Sequence, residues 1–241
     1  MTKQERKNID FIFEQCPELL STGSKEQYAR YVKTIFPSSS THSIFFHGGR
    51  KGIEKFIAPS DKDAFKKNKG VHSGTKDYGI YFTADKSLAK NYAKGHPKNN
   101  RRIYAVVLNM QNPFKTDAWF ALNIRRALGD KSVFNPQSIT QDDYDRFIAP
   151  QNHDSVLWHG EKGEAVVFDP EQIHILGSGK DVRMFGKWVE IQKRLAGKKR
   201  EAFSLKPFSP KETVQETVRP ACRDIPFSSV LNLLRRKRQN G

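Results

Sequence analysis

An α+β domain is what this chain of 241 residues predicts, and three observations lead there. Helical periodicity fills the opening 36 residues. Short apolar, β-rich runs follow, each bounded by glycine, proline or asparagine. Helical stretches are inserted among those runs without the strict strand–helix alternation of a parallel α/β sheet.

The elements justify themselves in order. Residues 1–20 read as a short helix with Ile9, Phe11, Ile12 and Leu19 apolar, stopped near Pro17. A second helix runs from Lys25 to Phe36, started by Ser21, Thr22 or Ser24 and ended by Pro37, with Tyr28, Tyr31, Val32, Ile35 and Phe36 at helical spacing. "SIFFHGG" is a buried strand entering a glycine turn. Residues 50–76 are lysine-rich and weakly periodic, as expected of a surface helix and loop. "YGIYFTA" is a strand, and "DKSLAKNYAKG" a helix capped by Thr83 or Asp85 and terminated by Gly95. "RIYAVVLNM" is a strand with Tyr104, Val106 and Leu108 on one face, ended by "NPF". Residues 117–150 form a helical insert, "SVLWHGEKGEAVVF" a hairpin turning at Glu161-Lys162-Gly163, and "QIHIL" a last strand. Beyond Gly179 come a basic helix over 181–196, a charged, proline-bearing linker over 197–226, and a short amphipathic helix over 227–238 that ends in Arg235-Arg236-Lys237-Arg238. The predicted division is a domain over 1–180 and a basic, partly flexible extension over 181–241.

Composition narrows the function classes. No apolar run approaches the ~18–20 residues of a membrane-spanning helix and no signal peptide is visible, so a cytoplasmic chain without membrane contact is expected. Two distant cysteines, Cys16 and Cys222, fit a reducing compartment and offer neither a disulfide framework nor a zinc site; no metal is expected. The net charge is +16, and residues 181–241 hold 15 Lys/Arg against 6 Asp/Glu. Such an excess suits a polyanionic partner, nucleic acid above all, or else is simply a solvated basic surface and tail.

Three short stretches carry the chemistry. In Phe46-His47-Gly48-Gly49, a histidine at a strand end stands beside bare backbone to which a flat ligand can hydrogen-bond. In "DYGIYFTADKSLAKNYA", Tyr81 ends a strand, and the Leu88, Ala89, Tyr92, Ala93 face of the next helix turns Tyr92 back toward it. Two such rings make a stacking site for a planar, cationic heterocycle. In Gly163-Glu164-Ala165-Val166-Val167-Phe168-Asp169, a carboxylate stands at the threshold of an apolar strand. Each stretch alone also has an ordinary reading: a satisfied turn, two core rings, a solvated strand-end acid.

In this order and spacing the three stretches resemble the ADP-ribosyltransferase superfamily, in its His-Tyr-Glu branch that includes diphtheria toxin and the poly(ADP-ribose) polymerases. The leading "KEQYARYVKTIFPSSS…IFFHGG" is similar to the bacterial and phage subgroup of polyvalent-protein-type transferase domains, and the likeness covers roughly 25–177. The resemblance implies a split mixed β-sheet core and NAD as substrate. It implies His47, Tyr81 and Glu164 as the catalytic trio, and Gly48, Tyr92 and the position of Ala89 as further parts of the dinucleotide site. The polymerases carry serine where this chain has Ala89. Lys162 stands where arginine- or guanine-modifying relatives have Glu or Gln, which puts those acceptors in doubt.

From the resemblance follows transfer of a single ADP-ribose to a macromolecule. Trp158, His159 and Lys162, in the loop before Glu164, are expected to face the acceptor. Nucleic acid is slightly favoured over protein, because an aromatic ring and cations suit bases and phosphates. A toxin, effector or defence enzyme, delivered into a target cytoplasm or held by an inhibitory partner or antitoxin, fits the same picture. The rival reading is a binding module of the same fold that holds NAD, ADP-ribose or nucleic acid without turnover.

Overall fold

The structure is a computed structural model, and it describes residues 1–57, 78–116, 139–158 and 163–204, with side chains as far as residue 197. Two capped helices open the chain. Helix α1 (Lys3–Gln15) starts in a reciprocal capping box between Thr2 and Glu5, and α3 (Lys25–Ile35) in one between Ser24 and Gln27. A four-residue helix, α2 (Leu19–Thr22), links them. Ile9, Ile12 and Phe13 of α1, and Tyr28, Tyr31 and Val32 of α3, fall three and four residues apart and are buried.

Seven strands follow: β1 (Phe45–Arg50), β2 (Ile80–Thr83), β3 (Arg101–Leu108), β4 (Pro113–Thr116), β5 (Ser155–Trp158), β6 (Glu164–Val167) and β7 (Ile173–Ile175). They form one sheet in the order β4-β5-β6-β2-β1-β3-β7, antiparallel except for the β4–β5 pair. Helix α4 (Lys86–Ala93) follows β2 and lies on β1. A long helix, Gly179–Ser204, closes the described chain.

The sheet parts in its middle. Strands β1 and β3 pair over six consecutive residues, and β2 and β6 over four, but β1 and β2 share the single register pair Phe46–Thr83. This is the split mixed sheet of an α+β fold that the sequence predicted.

Apolar side chains lie on both faces. One cluster joins α1, α3 and the long helix to Phe46, Ala89, Ala105 and Val107. The opposite face holds Phe45, Phe82, Tyr104, Val106 and Leu108, with Tyr104, Val106 and Leu108 sharing a side as expected. A third cluster gathers Ile139, Ile148, Val156, Trp158 and Val166 near β5 and β6.

One expectation is extended and another corrected. β3 stops at Leu108, before "NPF", but Pro113 then opens a further strand, β4, at the sheet edge, where a missing N–H costs no ladder bond. The basic helix does not give way to a linker at 197 but continues to Ser204; the first proline beyond it is Pro207. The expected boundary at 180 falls in the first turn of that helix, whose Phe185, Trp188 and Val189 pack into the first cluster. The expected amphipathic helix over 227–238, most of the 50–76 segment and most of the 117–150 insert lie outside the described residues.

Candidate functional site

His47 and Gly48 are neighbours on β1, so their side chains leave opposite faces of the sheet. His47 is buried, with its ring edge-on to Phe56 at 5.1 Å and 5.6 Å from Phe82. Its Nδ1 lies 2.9 Å from the carbonyl oxygen of Tyr81. A carbonyl only accepts, so Nδ1 carries the proton, and in the neutral ring Nε2 is the acceptor. This bond sits where β1 and β2 lose register, so the imidazole bridges the strands where their backbone ladder stops.

On the other face, bare Gly48 is covered by α4. A β-carbon built on Gly48 would stand 1.8 Å from the Ala89 carbonyl oxygen and 2.8 Å from the Ala93 nitrogen. The sequence suggested that this glycine admits a ligand to the main chain; in the structure the closest approach to its α-carbon is the backbone of a helix.

Helix α4 owes its position to its cap and to two alanines. The Asp85 side chain accepts from the Ser87 amide at 2.7 Å, which settles the choice between Thr83 and Asp85, while Thr83 Oγ1 accepts from the Asp85 amide. Ala89 and Ala93 are buried beneath α4, and Tyr92, 54% exposed, reaches sideways. Its hydroxyl donates to Glu164 Oε1 at 3.1 Å. Desolvation of the phenol, and then the Glu164 carboxylate beside it, push Tyr92 up to about 12.

Glu164 is the first residue of β6, opposite Thr83 of β2 and Trp158 of β5. The Ala84 amide donates to the Gly163 carbonyl at 2.8 Å, which fixes the chain just before the carboxylate. Alternation along β2 and β6 puts Tyr81, Thr83 and Glu164 on one face, shared with Gly48 and α4. The Tyr81 ring lies nearly parallel to Trp158, with centroids 6.3 Å apart and planes at 16°, and its hydroxyl accepts from the Ile139 amide at 2.8 Å.

Gly48, Tyr81, Ala89, Tyr92 and Glu164 therefore meet around one face of the sheet centre, and His47 joins them from behind through the Tyr81 carbonyl. Trp158 is corrected: it ends β5 at 2% exposure, packed against Tyr81, rather than standing in an exposed loop facing an acceptor. His159 and Lys162 lie outside the described residues. The sequence did not identify the Trp158–Tyr81 stack or the Ile139 tether. The hairpin pattern was the available signal, since it places Trp158 across from Glu164 and hence on Tyr81's face.

Chemically, the face presents a neutral phenol, a carboxylate oriented by it, and a partly exposed ring for a planar group. Among the described residues no cluster of His, Cys, Asp or Glu suits a metal ion, and no helix is long and apolar enough to cross a membrane.

A model of the family described as ADP-ribosyltransferase in polyvalent proteins matches residues 41–179, a span that runs from just before β1 to just past β7. Comparison with curated proteins gave no match.

Proposed function

The chain belongs to the ADP-ribosyltransferase family of polyvalent proteins, and from that premise we propose that this face cleaves the nicotinamide–ribose bond of NAD and passes one ADP-ribose to a macromolecular acceptor, nucleic acid before protein. The family uses NAD as its substrate. The observation that carries the reading is the bond between the Tyr92 hydroxyl and Glu164, on the face that Gly48 and Tyr81 share.

In this mechanism Tyr81 and Tyr92 flank the cationic nicotinamide ring, which the ring quadrupoles favour. The Gly48 backbone holds its carboxamide, next to Ala89. His47, fixed in one tautomer by the Tyr81 carbonyl, takes a hydroxyl of the adenosine ribose. The glycosidic bond breaks with its electron pair going to nicotinamide, and C1′ passes through an oxocarbenium-like state. Glu164 accepts from the ribose hydroxyl beside that carbon, where a fixed negative charge stabilises developing positive charge. The acceptor's nucleophile then bonds to C1′ and its proton leaves to Glu164 or to solvent.

The test is labelled NAD with RNA, DNA and lysate protein, scored for nicotinamide release and for the pool that takes the label. Glu164→Gln is expected to lower turnover by about 10²–10³-fold. Turnover near normal in that variant refutes the role of the carboxylate. Tight NAD binding with no release by the unaltered chain instead establishes a binding module.

A further inference from the structure

Behind α4, away from Glu164, runs a groove of about 430 Å³. Lys90 and Lys94 are each two residues from Tyr92, which on a helix puts them together about 160° around from it. They form one wall, and Lys51 and Arg101 form the rest of the rim, with no acidic side chain among the lining residues. Arg102 also borders the groove, but as the strand neighbour of Arg101 its side chain leaves the other face of the sheet, with its guanidinium 5.4 Å from the Tyr104 ring centroid. None of the four rim cations forms an ion pair with a carboxylate among the described residues. Arg101 is held in place by carbonyls, its Nε donating to His96 O at 2.6 Å and its Nη2 to Lys94 O at 3.1 Å. The floor is apolar, made by the half-buried Phe11 and Ile103.

An apolar floor under a rim of cations with no carboxylate partner among the described residues matches a single-stranded nucleic acid, whose bases rest on the floor while phosphates meet the rim. We propose that this groove binds a strand of RNA or DNA and docks it beside the transferase face. As a docking surface for the acceptor it rests on the transfer reading above; as a binding site it does not. A peptide of acidic residues alone would satisfy the rim but has no flat groups for the floor. The wall that carries Lys90 and Lys94 is the helix that carries Tyr92, so a docked strand lies about one helix diameter, ~10 Å, from the site.

The test uses the whole chain and fluorescein-labelled 12-residue oligouridylate and oligothymidylate, with anisotropy followed from about 50 to 200 mM salt. Lys90→Gln with Lys94→Gln removes two phosphate contacts from exposed positions. At about 0.7 counterions each, the salt slope should fall by about 1.4, and affinity at about 0.1 M salt by about 25-fold. Lys51→Gln, on the facing rim, should lower the slope by about 0.7 and the affinity by about 5-fold. Nicotinamide release without acceptor should not change in either variant. Unaltered oligonucleotide affinity and salt slope in both variants overturns the proposal. So does a raised KM for NAD, which would assign the groove to the dinucleotide, or displacement of the strand by polyglutamate as readily as by oligouridylate. A chain that binds oligonucleotide through these residues but releases no nicotinamide refutes the transferase reading and leaves the groove standing.

Discussion

Replacing Gly48 with alanine tests the site and its scaffold together. The added carbon would meet the Ala89 carbonyl oxygen at 1.8 Å, its carbonyl carbon at 2.8 Å and the Ala93 nitrogen at 2.8 Å, all backbone atoms that no rotamer change can move. A carbon–oxygen contact needs about 3.3 Å, so α4 must retreat by about 1.5 Å. Overpacking of this kind costs about 2–3 kcal/mol. The retreat also carries Tyr92 away from Glu164, whose bond at 3.1 Å has little slack. Misplacement by an ångström costs about 10²-fold in rate. Gly48 does not adopt a positive φ, so backbone strain adds nothing to the result. Urea unfolding measures the first effect, and nicotinamide release at temperatures where the variant stays folded measures the second. Gly95→Ala is the control: its nearest atom is the Tyr92 carbonyl oxygen at 3.6 Å, an ordinary contact, and it should stay within about 0.5 kcal/mol of the parent. A Gly48→Ala protein as stable as the Gly95→Ala control, with unchanged turnover, refutes the claim that α4 seats on this glycine.

Other expectations are as direct. Asp181→Ala should cost about 3–5 kcal/mol by denaturant unfolding, because the fully buried carboxylate accepts from Tyr28 Oη, from Tyr31 Oη at 3.0 Å, from His174 Nε2 at 2.7 Å and from the Gly177 amide at 2.8 Å; a loss under about 1 kcal/mol would mean that these donors find other partners. Tyr92, raised to about 12, should contribute no phenolate absorbance between pH 9 and 10.5 when the parent is compared with Tyr92→Phe. Its folded value lies above the ordinary ~10, so the stability its bond to Glu164 adds is complete below pH 10 and fades as pH rises through about 12. A difference midpoint at 10 counts against the contact. Burial, and then the neighbouring Glu18 carboxylate, push the Cys16 thiol up to about 11. In a Cys222→Ser background it should react with a disulfide reagent at pH 8 only as the chain unfolds, and rapid native labelling would contradict that burial.

Much of the architecture was legible where the signal is local. Helices α1 and α3 announce themselves through apolar residues three and four apart, α3 also through Ser24 among its three candidate caps, and α4 through Asp85 among its two and through Gly95; the Thr2 cap of α1 was not read. The strand sequences were legible from short β-rich runs. Their lateral order was not, because register between segments far apart in sequence leaves no trace in either one. β4 escaped because Pro113 reads as a stop, and only its place at the sheet edge makes it tolerable. Orientation at the candidate site was not legible: His47 and Gly48 were read as one ligand wall, although adjacent strand residues must face opposite ways. Asp181 was missed because an acid in the first turn of a helix looks like a surface residue favoured by the helix dipole. Tyr28 and Tyr31 held the clue, since two phenols in a buried stripe need a shared acceptor.

The parting of β1 from β2 has a mechanical consequence. Along this seam the strands share the Phe46–Thr83 rung and the bond from the His47 ring to the Tyr81 carbonyl, so the two leaves are held there more by side-chain packing, Phe45 and Phe82 included, than by a backbone ladder. An occupant that engages His47 acts on the ring that makes that bond, so filling the site is expected to couple to any motion of the leaves. Amide exchange at residues 46–49 and 81–83 is where that motion should register, while the six-rung seam between β1 and β3 stays still.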